Sequence, residues 1–149
     1  MNKPAHILLV EDNPMDVELT LDAFHEAKLL NTIQVASDGQ EALDYLFGHG
    51  RYVDRNKFPM PNLVLLDLKL PGIDGFEVLR QVKSTPILKR LPVVILTSSK
   101  EEGDRALSYD HGANSYLVKP ISFDGFLGVV RQINGYWLSL NVAPPEGQV

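Results

Sequence analysis

Glu11 and Asp12 stand side by side after the apolar run ILLV, Asp67 follows LVLL, Thr97 follows VVIL, and Lys119 follows SYLV. Carboxylates gathered in one place cannot all stay ionised without a counter-charge. A hard divalent cation supplies one. Mg2+ takes oxygen ligands, keeps several waters, and is commonly held by one or two carboxylates together with a phosphate oxygen. A lysine is a point-charge partner for phosphate, and a threonine hydroxyl donates a hydrogen bond to it. The set has the chemistry of an aspartate that carries a phosphoryl group, beside its metal and its phosphate contacts. A lone acid after a strand is more often a helix cap. Asp12, however, precedes Asn13-Pro14, where Asn13 is the better-placed cap and proline suits the first helical position. Asp67 has no helix to cap, because Pro71-Gly72 delays the next one.

The elements that must place these residues are legible as two alternating patterns. Short runs rich in Val, Ile and Leu predict strands at His6–Val10, Thr32–Ala36, Leu63–Leu66, Val93–Leu96 and Ser115–Val118. Between them lie stretches with helical spacing. Asn13-Pro14 opens one that presents Val17, Leu21 and Phe24. Asp38 with Glu41, and Asp74 with Glu77, repeat the spacing of a capping box. Ser122 opens a last helix with Phe123, Phe126, Leu127, Val130 and Ile133 on one face. The fourth helix, about 100–111, is the weakest, since Gly103 lies in its first turn and an interior glycine costs about 1 kcal/mol relative to alanine. A β-α order with strands apolar on both sides predicts an α/β fold, a parallel sheet covered by helices on both faces. Ligands of such open sheets bind at the carboxyl ends of the strands, where the strand order reverses. The acids, Thr97 and Lys119 all fall at strand ends. The second strand is followed only by Ser37-Asp38-Gly39, a turn and a helix cap.

Bulk properties exclude several functions. The 149 residues suit one domain, read as 1–140 with a loose tail at 141–149 and no effector domain after it. A net charge of -5 argues against a nucleic-acid or anionic-membrane binder, which needs a basic surface. No cysteine is present, so disulfides, Cys-zinc sites and thiol catalysis are out. The opening MNKPAHILLV is too short an apolar run for a leader or a membrane span, and the cytoplasm is the expected location.

The segments LLVEDNPMD, LVLLDLKLPGIDGFEVL, PVVILTSS and GANSYLVKP, in this order from about Ala5 to Trp137, resemble the response-regulator receiver domain of two-component signalling. The resemblance implies a flavodoxin-like, doubly wound five-stranded sheet of strand order 2-1-3-4-5. It implies that Asp67 is the phosphoacceptor, that Glu11 and Asp12 bind Mg2+ (with Mn2+ as a substitute), and that Lys69 offers its backbone carbonyl to the metal. Thr97 matches the switch hydroxyl, Lys119 the phosphate-pairing lysine and Tyr116 the aromatic switch residue. The Lys119-Pro120 bond matches one that is usually cis in the family. Glu11 stands where many members have Asp, and its greater length suits metal contact through a water. The long link GHGRYVDRNKFPMP, with LTSS, GANSYLVKP and the late GYW, is similar to the small stand-alone regulators that partner phytochrome-type histidine kinases.

The implied function is that of a phosphoacceptor rather than an enzyme. A sensor histidine kinase, bacteriophytochrome-like, donates the phosphoryl group, and the switch alters a protein-interaction surface. A phosphorelay intermediate or phosphate sink for another kinase is the alternative. Arg51, Arg55 and Lys57 of the long link are candidate partner contacts. Val129, Tyr136 and Leu140 extend the apolar surface of the last helix beyond one core stripe, with Trp137 near its end, and predict a homodimer through the fourth and fifth helices. His6, His25, His49 and His111 read as ordinary surface or edge residues. Two rivals fit less well. An aspartyl-phosphate hydrolase needs an acid two residues after its nucleophile, where this chain has Lys69. A flavin-binding electron carrier needs a Ser/Thr/Gly-rich phosphate loop, where this chain has EDNPMD.

Overall fold

The computed structural model describes residues 5–29 and 31–136. Each apolar run becomes a strand and each capped amphipathic stretch a helix, in the order β1 (His6–Val10), α1 (Pro14–Glu26), β2 (Thr32–Ala36), α2 (Gly39–Phe47), β3 (Leu63–Leu66), α3 (Gly75–Ser84), β4 (Val93–Thr97), α4 (Glu102–Asp110), β5 (Ser115–Val118) and α5 (Phe123–Tyr136). All neighbouring strands pair in parallel, in the order β2-β1-β3-β4-β5. This is the doubly wound, flavodoxin-like sheet, with the order reversing between β1 and β3.

Strand periodicity divides the core. Leu8, Val10, Val64, Leu66, Val93 and Ile95 face one side, against Leu46 of α2 and Val78, Leu79 and Val82 of α3. Ile7, Leu9, Leu63, Leu65 and Val94 face the other, against Phe24 of α1 and Phe126, Val130 and Ile133 of α5. Successive side chains of a strand point to opposite faces, so central strands covered on both sides must be apolar throughout. The caps are as predicted. Asn13 Oδ1 accepts from the Met15 N–H at 2.9 Å, Asp38 from Glu41 at 2.7 Å, Asp74 from Glu77 at 3.0 Å, and Ser122 Oγ from Gly125 at 3.1 Å.

Several expectations are corrected. β4 runs one residue further than predicted, to Thr97, because the Lys119 N–H extends the ladder by donating to the Thr97 carbonyl at 2.7 Å. The predicted helix about 100–111 contracts to Glu102–Asp110; Glu101 at its cap makes no side-chain cap bond, and Ser108 is its only buried residue. The Lys119–Pro120 bond is trans, as no cis peptide bond occurs among the described residues; the trans form of an X–Pro bond is favoured by about 0.5–1 kcal/mol. Val129 is not spare surface but packs, partly buried, on the α1–α5 side of the core. The Tyr136 side chain, Trp137, Leu140 and the tail 141–149 lie outside the described residues.

His6 is likewise not a surface residue. It starts a central strand and is buried beneath the α2–β3 link. Tyr45 Oη donates to the Pro59 carbonyl at 2.7 Å, so the 2.6 Å contact between His6 Nε2 and Tyr45 Oη is a hydrogen bond from the imidazole to the phenol. The link itself is tied down by Arg55, whose guanidinium donates to the carbonyls of Tyr45 at 2.7 Å, Leu46 at 3.3 Å and Tyr52 at 3.2 Å. Arg55 thus adds a donor to two carbonyls in the last turn of α2, Tyr45 and Leu46. Arg51 lies 3.1 Å from Glu41 Oε1, and among the described residues only Lys57 of the three candidate partner contacts has no polar partner for its charge, its ammonium lying over the Phe58 ring.

Candidate functional site

Backbone hydrogen bonds carry the sheet one residue past its apolar runs, and that extra residue is the functional one. The Glu11 N–H donates to the Ala36 carbonyl at 3.0 Å, the Asp67 N–H to Val10 at 3.0 Å, and the Lys119 N–H to Thr97 at 2.7 Å. Each side chain therefore starts from a backbone fixed by the ladder. The turn behind Asp67 is equally constrained. A Cβ at Gly75 would lie 2.2 Å from the Asp67 carbonyl oxygen, so only glycine lets α3 pack this closely.

The edge gathers most of the predicted residues. One carboxylate oxygen each from Glu11, Asp12 and Asp67 lie within 4.8 Å of one another, with Glu11 and Asp67 buried and Asp12 exposed. Lys119 stands among them. Its ammonium is 2.9 Å from Asp67 Oδ2 and 2.8 Å from Asp16 Oδ2, and it also contacts Glu11 Oε1. Burial pushes the Glu11 carboxyl up to about 7; the Lys119 ammonium opposes this and the Asp67 charge adds to it. Burial alone would lower the Lys119 pKa, but hydrogen bonds to Asp16, Glu11 and Asp67 together carry it above its ordinary value.

The donor set fits a divalent metal. All three candidate ligands are hard carboxylate oxygens, the kind that suits Mg2+, Ca2+ or Mn2+ rather than zinc. The lysine ammonium already occupies the counter-charge position among them. The Lys69 N–H donates to Asp67 Oδ1 at 3.4 Å, while its ammonium lies 3.5 Å from Asp104 Oδ2 on α4.

Neither Thr97 nor Tyr116 makes a hydrogen bond to Asp67; both bond to Ser99. The Ser99 N–H donates to Thr97 Oγ1 at 3.4 Å, and the Tyr116 hydroxyl donates to the Ser99 carbonyl at 3.0 Å. Ser99 Oγ donates to Asp104 Oδ2 at 2.6 Å and accepts from the Glu101 N–H at 3.3 Å. Thr97 is fully buried, and Tyr116 packs half-buried on the core. Sequence reasoning missed Asp16, Ser99 and Asp104. Asp16 had a signal: it is an acid in the first turn of the helix that starts directly after the Glu11-Asp12 pair. Asp104 had a fainter one, as an acid near the start of a helix whose cap position holds Glu101.

The geometry has counterparts. The response regulator receiver domain model matches residues 7–131. The chain is 42% identical, over 95% of its length and 88% of the relative's, to the probable methanogenesis regulatory protein FilR2 of Methanothrix harundinacea. It superimposes with a TM-score of 0.89 and 38% identity on the phosphorylated cyanobacterial phytochrome response regulator RcpA, covering 96% of this chain and 100% of that one. The Mn2+-bound form of response regulator Rcp1, a Synechocystis protein, gives a TM-score of 0.85 and 38% identity, covering 95% and 100%. Strand order, the acidic cluster and the match across nearly all described residues agree, and this chain belongs to the response regulator receiver domain family.

Proposed function

We propose that the chain is a response regulator receiver that accepts a phosphoryl group on Asp67 from a sensor histidine kinase in the cytoplasm. The observation that carries this reading is the position of Asp67. It is held by the β1–β3 ladder, buried, within 4.8 Å of the Glu11 and Asp12 oxygens, and 2.9 Å from the Lys119 ammonium. Glu11, Asp12 and Asp67, with the Lys69 carbonyl, would hold Mg2+ or Mn2+. The bound ion supplies charge neutralisation for the phosphoryl oxygens. An Asp67 carboxylate oxygen forms the new P–O bond as the P–N bond of the phosphohistidine breaks and its electron pair stays on the imidazole. Lys119 pairs with a phosphoryl oxygen.

The readout follows from Ser99. Thr97 Oγ1 turns toward the phosphoryl group and leaves the Ser99 N–H; the β4–α4 segment shifts, and Tyr116 loses its acceptor. The phosphoryl group acts as the ligand of a two-state equilibrium, which it biases by contacts made in one state only. Output is contact with another protein through α4, β5 and α5, with a homodimer across the same elements. The likeness to RcpA supports a phytochrome-type kinase as donor. The likeness to FilR2, a probable methanogenesis regulatory protein, supports a second reading, a regulator served by a kinase of another input.

The test is Mg2+-dependent transfer from an autophosphorylated phytochrome-type kinase to wild type and to Asp67→Asn. Wild type is expected to take one phosphoryl group per chain and Asp67→Asn none. Labelling that survives the substitution refutes the site. Transfer from unrelated kinases alone moves the assignment to the second reading.

A further inference from the structure

Lys119 makes three carboxylate contacts, and two of them belong to the candidate metal-ligand set. The third is Asp16. It is neither a candidate metal ligand nor the phosphoacceptor, yet it approaches the ammonium as closely as Asp67 does, at 2.8 Å. Its placement is built in by the start of α1. Asn13 caps the helix and its Oδ1 accepts from the Asp16 N–H at 3.3 Å, while Pro14 presets the first helical position. The Asp16 carboxylate then faces the end of β5 across the acidic edge.

A divalent cation held by Glu11 and Asp67 competes with the ammonium for the negative charge and lone pairs of these carboxylates, so metal binding weakens the hold of Lys119 on both acids. A buried ammonium left without a partner is costly. Lys119 is almost wholly buried, with 7% of its side chain exposed. Asp16 is the one partner that remains after the exchange. We infer that Asp16 is a positioning residue for Lys119: it keeps the ammonium at the site when the metal claims Glu11 and Asp67, so that the cation is at hand when the phosphoryl group arrives. Without it, Lys119 clings to the metal's own ligands and competes with the metal.

This inference rests on the metal site and the lysine role proposed above, and a double-mutant cycle on Mn2+ affinity separates the two. Binding is measured by titration calorimetry on wild type, Asp16→Asn, Lys119→Ala and the double variant, with circular dichroism confirming that each is folded. Lys119→Ala alone is expected to tighten Mn2+ binding by removing a competing cation. Asp16→Asn is expected to weaken it about tenfold in the wild-type background and at least about threefold less in the Lys119→Ala background, a coupling of ordinary size for groups in contact. Loss of a nearby negative charge by itself would weaken binding by the same factor in both backgrounds, and that result overturns the inference. Asp16→Glu, which keeps the carboxylate, is expected to stay within about twofold of wild type. Phosphoryl acceptance from acetyl phosphate at saturating Mn2+ is expected to slow in Asp16→Asn only where Lys119 is present; equal slowing in both backgrounds counts against the positioning role. A Glu11→Ala variant is the control. Unchanged Mn2+ affinity there overturns the metal site and the inference with it. Lost affinity there combined with zero coupling overturns the Asp16 role alone.

Discussion

At the level of single residues, the acidic edge gathers several carboxylates around one lysine, and the buried side-chain polar atoms of the described residues are paired almost everywhere. His6 is the exception among the described residues: its Nδ1 is buried without a hydrogen-bond partner, while Nε2 donates to Tyr45. Burial lowers its pKa below the ordinary 6.5, and the nearby Thr32 backbone only partly opposes this. The sign follows from linkage. The unfolded chain takes up a proton more readily than the folded one, so this contribution to stability is present above about pH 6.5 and is lost as pH falls through the lower folded value. Urea denaturation between pH 7.5 and 5 should show wild type losing more stability than His6→Gln, which carries no titrating group. Equal pH slopes would refute the prediction. The chemistry-bearing residues differ in how far sequence reveals them. Glu11, Asp67, Thr97 and Lys119 are legible because residue type and strand end coincide. His6, Asp16 and Ser99 acquire their roles from side-chain contacts across elements, which no local pattern encodes.

Among the elements, α4 is the one with least holding it. It has no side-chain cap at Glu101, buries only Ser108, and leans on Ser99 and Asp104 for its first turn. Gly103 adds a propensity cost at a site where a Cβ would meet nothing within 4 Å. Gly103→Ala should therefore stabilise the helix by about 0.5–1 kcal/mol. Amide exchange in α4 should slow, and the protein should melt at a higher temperature. The same variant tests whether a loose α4 serves switching: if it does, a phosphoryl mimic should change α4 exchange less in Gly103→Ala than in wild type. The contrast with α1, α2 and α3 shows what sequence encodes at this scale. Their starts were readable because Asn13, Asp38 and Asp74 carry their own capping groups. The bounds of α4 were not, since its first turn is held by a serine three residues before the helix. β4 gained Thr97 for a similar reason: its last pairing depends on β5, a partner that the run VVIL does not specify.

For the molecule as a whole, four of the exposed apolar side chains stand on or beside α4, β5 and α5, where the switch would be read. Leu107 of α4, Val118 at the end of β5, and Ile121 and Phe123 before and at the start of α5 are 41, 38, 104 and 37% exposed. Single exposed apolar residues are unremarkable, but several on adjoining elements mark a contact surface. Here they border the segments that Ser99 and Tyr116 tie to the site. A two-fold dimer would place the same patch against itself, as isologous interfaces do. Ile121 is the sharpest probe, because a side chain this exposed has little packing to lose in the monomer. Light scattering at micromolar concentration, with and without a phosphoryl mimic and Mg2+, should return twice the chain mass for the mimic-bound wild type. Ile121→Glu should return the monomer mass, while its melting temperature and Mn2+ affinity stay as in wild type. A dimer that survives Ile121→Glu would move the interface elsewhere. A wild type that stays monomeric in both states would leave this face to a different protein, and the switch would then act by heterologous contact alone.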